Sequence, residues 1–279
     1  MEKILLAVDA INMEESALVF ASYLAGLTKS TITGVFLENL ENEERPVLKH
    51  MNGLAYMDWE VDEASENHQS KIALIEKNIS LFKAGCVSRK ITCDLHRDRG
   101  VPLYELINES RFADVLVIDA DTSFKKRYDG TPSEFVKDIL SKAECPVIVA
   151  PERFEGVDEI VFTYHGTSSS MFAIKQFTYL FPELKDRKIS VIQVNKEGEW
   201  HDADKCKLKE WLKVHYSDIS FEALKGETDS TLFDCLLKRK KIFLVMGAYG
   251  RNALLQFFRK SHADILIQNI MKPIFIAHL

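Results

Sequence analysis

Three polar residues that could do chemistry stand just after apolar runs of the sequence. Asp119 and Asp121 follow the run 115–118, and two carboxylates at this spacing could bind a divalent cation if a third ligand joined them. Nothing in the sequence supplies that ligand, so a solvated loop is favoured. His165 could respond to pH or contact a ligand, because an unperturbed imidazole titrates near pH ~6.5. A hydrogen-bonded structural histidine is the favoured interpretation.

Sequence motifs for catalysis are missing. The chain has no nucleophile elbow, no His-Glu-x-x-His motif and no P-loop lysine motif. The sequence therefore favours a binding or interaction protein over an enzyme.

Two glycines, Gly247 and Gly250, follow the apolar run 243–246. Backbone amides at the start of a helix can hold a phosphate, and glycines allow it to approach closely. Further along, Ser261 and Asp264 have the spacing of a capping box, which would favour a helix start without any ligand. The sequence leaves both roles open for Ser261.

The elements that must position these residues occur twice. The runs 115–118 and 243–246 each precede a polar loop, a helical stretch and another apolar run, at 146–150 and 273–277. Ile118 and Pro146 are 28 residues apart, while Met246 and Pro273 are 27 apart. Such agreement over patterned segments predicts a duplicated unit.

Strands and helices alternate in both units, which is typical of a parallel sheet covered on both faces. The near-continuous apolar strands agree with burial on both sides. We therefore predict an α/β fold with two doubly wound, Rossmann-like domains in tandem, 1–150 and 151–279, divided where 151–156 interrupts the periodicity. Further predicted strands are 4–9, 32–37, 91–95, 160–165, 189–194 and 219–224.

Local patterns give three more expectations. The insertion 38–60 is predicted to be a loop whose apolar side chains pack on their own domain, in preference to a lid that binds a partner. Asn12 and Glu15 have the spacing of a capping pair for the first helix. Thr131 and Pro132 are predicted as the N-cap and first residue of a later helix.

Charge and cysteine content exclude several classes of function. A formal net charge of -6 argues against nucleic-acid binding, and the basic run 238–241 is typical of a helix end. Five cysteines with no CxxC spacing favour a reducing compartment. There is no apolar stretch of about 20 residues and no signal-peptide pattern, so we expect no membrane partner and a cytoplasmic location.

The segment 245–251, with Lys260 and Ser261, resembles the phosphate loop of the universal stress protein family. Members that bind ATP use two glycines, nine further residues, a third glycine and then Ser or Thr. Gly247 and Gly250 match the first two glycines and Ser261 matches the hydroxyl residue, while Lys260 replaces the third glycine. Its ammonium could contact a phosphate, but its bulk favours weakened binding.

The resemblance covers both halves and implies different sites in them. An Asp after the first strand contacts the nucleoside in this family, and Asp9 matches it, whereas the second half has His165 followed by Gly166 and Thr167. In the first half, 119–121 brings two carboxylates to the place of the glycines, where they would repel phosphate. Each domain of this fold builds its own pocket, so neither site is complete.

The resemblance implies adenine nucleotide alpha hydrolase-like domains in a regulatory or stress-response protein. We expect ATP or AMP to bind weakly in the second domain, with no metal site. A ligand-free interaction or scaffold protein is the alternative, and a slow ATP hydrolase ranks third. Family domains pair through their last strands, so we expect the halves to form an intramolecular pseudo-dimer. The sequence leaves open whether two chains form a homodimer.

Overall fold

The structure, a computed structural model, describes residues 1–39, 44–51, 54–61, 65–125, 127–128, 130–247 and 272–277. In the first half, strands and helices follow one another as β1 Lys3–Asp9, α1 Glu15–Thr28, β2 Thr31–Asn39, β3 Glu44–Met51, β4 Leu54–Val61, α2 Glu66–Ser88, β5 Cys93–Gly100, α3 Pro102–Ser110, β6 Val115–Asp119, α4 Glu134–Lys142 and β7 Val147–Ala150. The second half has β8 Glu159–Thr163, α5 Ser168–Leu180, a 3-10 turn Pro182–Leu184, β9 Lys188–Asn195, α6 Asp202–Lys213, β10 Ile219–Lys225, α7 Thr228–Leu237, β11 Ile242–Gly247 and β12 Ile274–Ala277.

One ten-stranded sheet runs through both halves in the order β10-β9-β8-β11-β12-β7-β6-β1-β2-β5. Within each half the strands are parallel and have the same order, counted from the shared centre. The last strands, β7 and β12, pair antiparallel, with Phe275 opposite Ile148. The predicted α/β class with tandem doubly wound domains is confirmed.

The sheet is buried on both faces, which explains the near-continuous apolar strands. One face carries the phenylalanines of α1, α2 and α5, and the other carries the apolar residues of α3, α4 and α7. Both clusters extend across the two halves. Phe20 of α1 lies edge-on to Phe243 of β11, with ring centroids 6.0 Å apart, so aromatic packing joins the halves.

Strand β5 begins two residues later than predicted and continues through a charged segment. Arg97 and Arg99 lie on it and donate through their Nε atoms to the carboxylate of Glu38 on β2, at 2.7 and 3.1 Å. Arg99 is directly opposite Glu38 in the strand register. An edge strand tolerates such charges because no described strand pairs with its other side, and ion pairs to β2 replace apolar contacts there.

The insertion is not the predicted loop. Segments β3 and β4 form a separate two-stranded antiparallel sheet. Across 46–51 and 54–58, where side chains are described, the leucines, methionines and tyrosine are exposed and do not pack on their own domain as we expected. A hairpin satisfies the backbone of the insertion by cross-strand hydrogen bonds, which is why these residues form strands without a buried face.

Candidate functional site

The loop after β1 is shaped by Asp9. Its Oδ1 accepts hydrogen bonds from the backbone N–H groups of Ile11 and Asn12, at 2.9 and 3.1 Å, and its Oδ2 accepts one from Asn12 Nδ2 at 3.1 Å. Asn12 is therefore committed to Asp9, and the predicted capping pair of Asn12 and Glu15 is wrong. Helix α1 starts at Glu15, with Glu14 at the N-cap and no side-chain cap bond.

A second helix fixes this loop from outside the site. Asn78 on α2 is buried and donates to the backbone carbonyls of Ala10 and Ile11, at 3.0 and 2.8 Å. Ser65 caps α2 by accepting from the His68 N–H at 3.2 Å. Sequence patterns did not identify Asn78, because a polar residue among the buried positions of a helix gives no sign of its distant partner.

Asp119 lies at the end of β6, the strand next to β1. Its Oδ1 accepts from the Asp121 N–H at 2.9 Å, and its Oδ2 accepts from Ser16 Oγ at 3.3 Å. Burial raises the pKa of Asp119, and the neighbouring Asp121 carboxylate raises it further, against the lowering effect of these hydrogen bonds. The low dielectric of this position therefore disfavours more negative charge.

The carboxyl ends of β1 and β6 enclose a cavity of about 170 Å³. Its lining includes four carboxylate side chains: Asp9, Glu14, Asp119 and Asp121. A phosphate placed there would meet four like charges at short range, which is strongly unfavourable in a partly buried site. Within the described ranges, no group of three or more His, Cys, Asp or Glu has a geometry that could hold a metal ion.

Thr131 is not a helix N-cap, as the sequence predicted, but a partner of this acidic loop. Its Oγ1 donates to the Asp121 carboxylate. Helix α4 begins at Glu134, and the cap is Ser133, whose Oγ accepts from the Val136 N–H at 3.1 Å. The prediction placed the helix start two residues early, because Ser133 stands at the N-cap and Thr131 lies before the helix in contact with Asp121.

In the second half, the chain leaves β8 through His165 and Gly166 and enters α5. Gly166 has a φ of +74°, a left-handed conformation that favours glycine. Thr167 is the N-cap of α5, and its Oγ1 accepts from the Ser170 N–H at 3.3 Å. The first turn of α5 carries no acidic residue, so the positive end of the helix dipole is not neutralised there.

Gly247, at the end of β11, lies against this first turn. A Cβ atom at Gly247 would be 2.6 Å from the backbone carbonyl of Ser169 and from the N atom of Ser170. Contact this close is open only to glycine. The structure therefore brings together Gly247 and the start of α5, at the carboxyl ends of neighbouring parallel strands.

Burial lowers the pKa of His165 from 6.5 to about 4. The imidazole is therefore neutral at pH 7 and offers no positive charge to a ligand at that pH. Gly250, Lys260 and Ser261, the other residues of the phosphate-loop resemblance, lie outside the described residues.

An aromatic cluster near this site was not found from the sequence. Trp200 stacks on Tyr164, with ring centroids 5.8 Å apart and an interplanar angle of 18°, and meets Phe221 edge-on. Asn195 shapes the turn that leads to Trp200 by accepting from the Gly198 N–H at 2.6 Å. The signal available in the sequence was Asn195-x-x-Gly198 directly after an apolar strand.

Comparison with known proteins gives matches over the full length of the chain. No protein-family model matches it. The chain is 21% identical over 268 residues to a universal stress protein of Synechocystis sp., covering 91% of this chain and 92% of that protein. The crystal structure of a universal stress protein from Archaeoglobus fulgidus DSM 4304 matches with a TM-score of 0.70 at 13% identity, covering 99% of this chain and 98% of the other.

A second solved structure, from Pseudomonas aeruginosa UCBPP-PA14 and bearing the same family name, matches with a TM-score of 0.58 at 12% identity. It covers 100% of this chain and 93% of the other. The fold is therefore shared over both halves. Among the described helices, none has the length and apolar character that crossing a membrane requires.

Proposed function

We propose that this chain, which resembles tandem universal stress proteins over its whole length, is a regulatory protein whose second domain binds an adenine nucleotide, ATP or AMP, weakly. The two domains of this proposal are 1–150 and 151–279. A cytoplasmic location belongs to the same proposal.

The observation that carries the proposal is the difference in charge between the two corresponding sites. Asp9 and Asp119 stand with two further carboxylates around the cavity of the first half. In the second half, the described residues at the same strand ends are the neutral His165, Thr167 and Gly247. An anion is therefore repelled by the first site and accepted by the second.

The described residues of the second site have different roles in this proposal. Thr167 and the first turn of α5 offer backbone N–H groups and a positive dipole end to a phosphate. Gly247 allows that turn to lie close to β11, and Gly166 supplies the left-handed turn before it. Gly250 and Ser261 add the contacts that the family resemblance implies, and Lys260 limits the affinity by its bulk.

His165 takes the place of the Asp that contacts the nucleoside in the family. A neutral imidazole offers a hydrogen bond but no negative charge, so nucleoside binding should be weaker than with a carboxylate. Asp9 keeps the family residue in the first half, but its carboxylate already accepts three hydrogen bonds from its own loop. Weak binding in one domain is the result that fits both observations.

Isothermal titration of the full chain with ATP, ADP and AMP tests this function. The informative variant is Thr167→Asp, because aspartate is a good N-cap and keeps the helix start, while its charge repels phosphate. We expect affinity for ATP to fall at least about tenfold, since a carboxylate several Å from a phosphate costs on the order of 1 to 3 kcal/mol at intermediate dielectric. The unfolding free energy should not fall.

Two controls complete the titration. Thr167→Ser keeps the cap without adding charge and should bind as the parent chain does. Asp9→Asn alters only the first half and should leave the heat of binding unchanged. An absence of binding at millimolar nucleotide, or equal affinity in Thr167→Asp, would contradict the proposal and favour a ligand-free interaction protein.

A further inference from the structure

Two of the five cysteines meet where α2 ends and β5 begins. Cys86 lies in the last turn of α2 and is fully buried, and Cys93 is the first residue of β5 and is partly exposed. Both are free thiols that pack against the same apolar core. The Cys86 thiol makes a side-chain hydrogen bond with Cys93, so the two sulfur atoms are neighbours. The pair is a dithiol that the proposed nucleotide site does not use.

The turn between the two cysteines holds them in place. The Cys86 carbonyl accepts a hydrogen bond from the backbone N–H of Ile91 at 3.0 Å. Lys90 has a φ of +59°, the left-handed conformation that commonly ends a helix. Cys93 pairs with Ile32 of β2 in the strand register, so its backbone is fixed as well. Both ends of this short connection are therefore fixed with the thiols side by side.

Burial gives the two thiols different roles. The thiolate is the form of cysteine that attacks an oxidant. Burial, together with the hydrogen bond to Cys93, raises the pKa of Cys86 to about 12, so Cys86 keeps its proton at neutral pH. Cys86 is also 0% exposed, whereas Cys93 has a surface that a small oxidant can reach. Cys93 should therefore react first and Cys86 second.

We infer that Cys86 and Cys93 form a modification site, at which a peroxide converts the dithiol into an intramolecular disulfide. In the first step the Cys93 sulfur attacks one peroxide oxygen, the O–O bond breaks, and the other oxygen leaves with the Cys93 proton as water or an alcohol. In the second step the Cys86 sulfur attacks the sulfenic acid on Cys93. The S–S bond forms, the S–O bond breaks, and the hydroxyl leaves with the Cys86 proton as water. Two thiols thus give two electrons to one peroxide.

The position of the pair suits a reversible bond. A disulfide between Cys86 and Cys93 closes a short loop, and short loops constrain the unfolded chain less than long ones do. The bond should therefore add little stability and be readily reduced. Disulfides of cytosolic proteins are usually of this transient kind. It would fasten α2, the helix whose Asn78 holds the loop after β1, to the strand β5.

Peptide mapping by mass spectrometry tests the inference. The full chain is reduced, freed of reductant and treated with hydrogen peroxide, and the remaining thiols are then alkylated. Trypsin cleaves after Arg89 and Lys90, so a bond between Cys86 and Cys93 links two separate peptides. We expect this linked pair, a loss of about 2 Da from the chain, and recovery of both thiols with dithiothreitol. Cys206→Ser, at an exposed cysteine of α6, is the matched control and should form the same link.

Single variants separate the two steps. In Cys86→Ala, peroxide should leave a sulfenic acid on Cys93 that dimedone traps, and no linked peptides. In Cys93→Ser, the buried and protonated Cys86 should react at least about tenfold more slowly than Cys93 does in Cys86→Ala. Cys93→Ser changes a partly exposed residue, so it keeps the inference testable if Cys86→Ala weakens the core. A disulfide that uses Cys145, Cys206 or Cys235 in place of this pair, or a free Cys86 thiol after Cys93 is oxidised, would overturn the inference.

Discussion

Replacing Gly247 by alanine tests the closest contact in the candidate site. The new Cβ would lie 2.6 Å from backbone atoms of Ser169 and Ser170, against an ordinary contact of 3.4 Å or more. The first turn of α5 would therefore have to retreat by about 0.8 Å, and it is backbone, which cannot rotate away. Overpacking of this kind costs about 1 to 3 kcal/mol. The same retreat displaces Thr167, so nucleotide affinity should fall too.

Two other glycines separate the steric effect from the general effects of alanine. Gly26 is exposed in α1, and its Cβ would meet only Ile91 Cδ1 at 3.8 Å, so Gly26→Ala should stabilise the chain by about 0.5 to 1 kcal/mol. Gly166 has no atom within 4 Å of a Cβ but has a φ of +74°, so Gly166→Ala should cost about 1 to 2 kcal/mol through backbone strain alone.

Urea unfolding of the three variants, followed by circular dichroism, measures these free energies. The expected order of stability is Gly26→Ala above the parent chain, and Gly166→Ala and Gly247→Ala below it. Shortening a neighbouring side chain should not rescue Gly247→Ala, because the atoms that the new Cβ would meet are backbone atoms. A Gly247→Ala chain as stable as the parent would refute the close packing of α5 on β11.

Three further predictions concern charge. Burial lowers the folded pKa of His165 to about 4, so the unfolding free energy should fall as the pH falls from about 6.5 to 4. In acid unfolding curves His165→Gln should lose less of its unfolding free energy over this range, by roughly up to 3 kcal/mol. Glu38, whose side chain is 3% exposed, pairs with two arginines, so Glu38→Ala should cost about 2 to 4 kcal/mol in urea unfolding. Glu144→Ala, in an exposed pair with Arg111, should have a much smaller effect because solvent screens that pair. Lys260→Gly, which places the third glycine of the family motif, should tighten ATP binding in calorimetry. Unchanged binding would contradict this prediction, and weaker binding would indicate that the Lys260 ammonium contacts phosphate.

Much of the fold could be predicted from the sequence because burial on both faces of a parallel sheet leaves strong apolar runs. The strand 115–118 and its counterpart 243–246 are of this kind, and the structure buries both completely. Repetition of the pattern predicted the two tandem halves, and the structure adds that their strands have the same order. The two universal stress proteins from Synechocystis sp. and Archaeoglobus fulgidus match 91% and 99% of this chain, so the similarity extends over both halves.

The hairpin could not be predicted in the same way. Strands are recognised by alternation of polar and apolar residues, and β3 and β4 place apolar residues on both faces. Leu48 and Met57 lie on one face and Met51 and Leu54 on the other, so polar and apolar residues do not alternate along these strands with a period of two. Strand β5 was shortened for a related reason, since its second half is charged and pairs with Glu38 instead of entering the core.

At the site, residue types were predictable and hydrogen-bond partners were not. The acidic strand ends of the first site, and the absence of acidic residues from 165–167 in the second, follow directly from the sequence of these segments. The bonds from Asn78 to the Ala10 and Ile11 carbonyls join segments that are remote in sequence. Asp9 and Thr131 bond within or near their own loops, but the atoms that they meet depend on the conformation of each loop. Local patterns carry no information about such partners.

Crystals grown with millimolar ATP test the central claim most directly. We predict phosphate density beside Gly247 and Thr167 at the start of α5, and none in the cavity between Asp9 and Asp119. Phosphate density in that acidic cavity, or an empty second domain at saturating ATP, would contradict the assignment of the anion site to the second half.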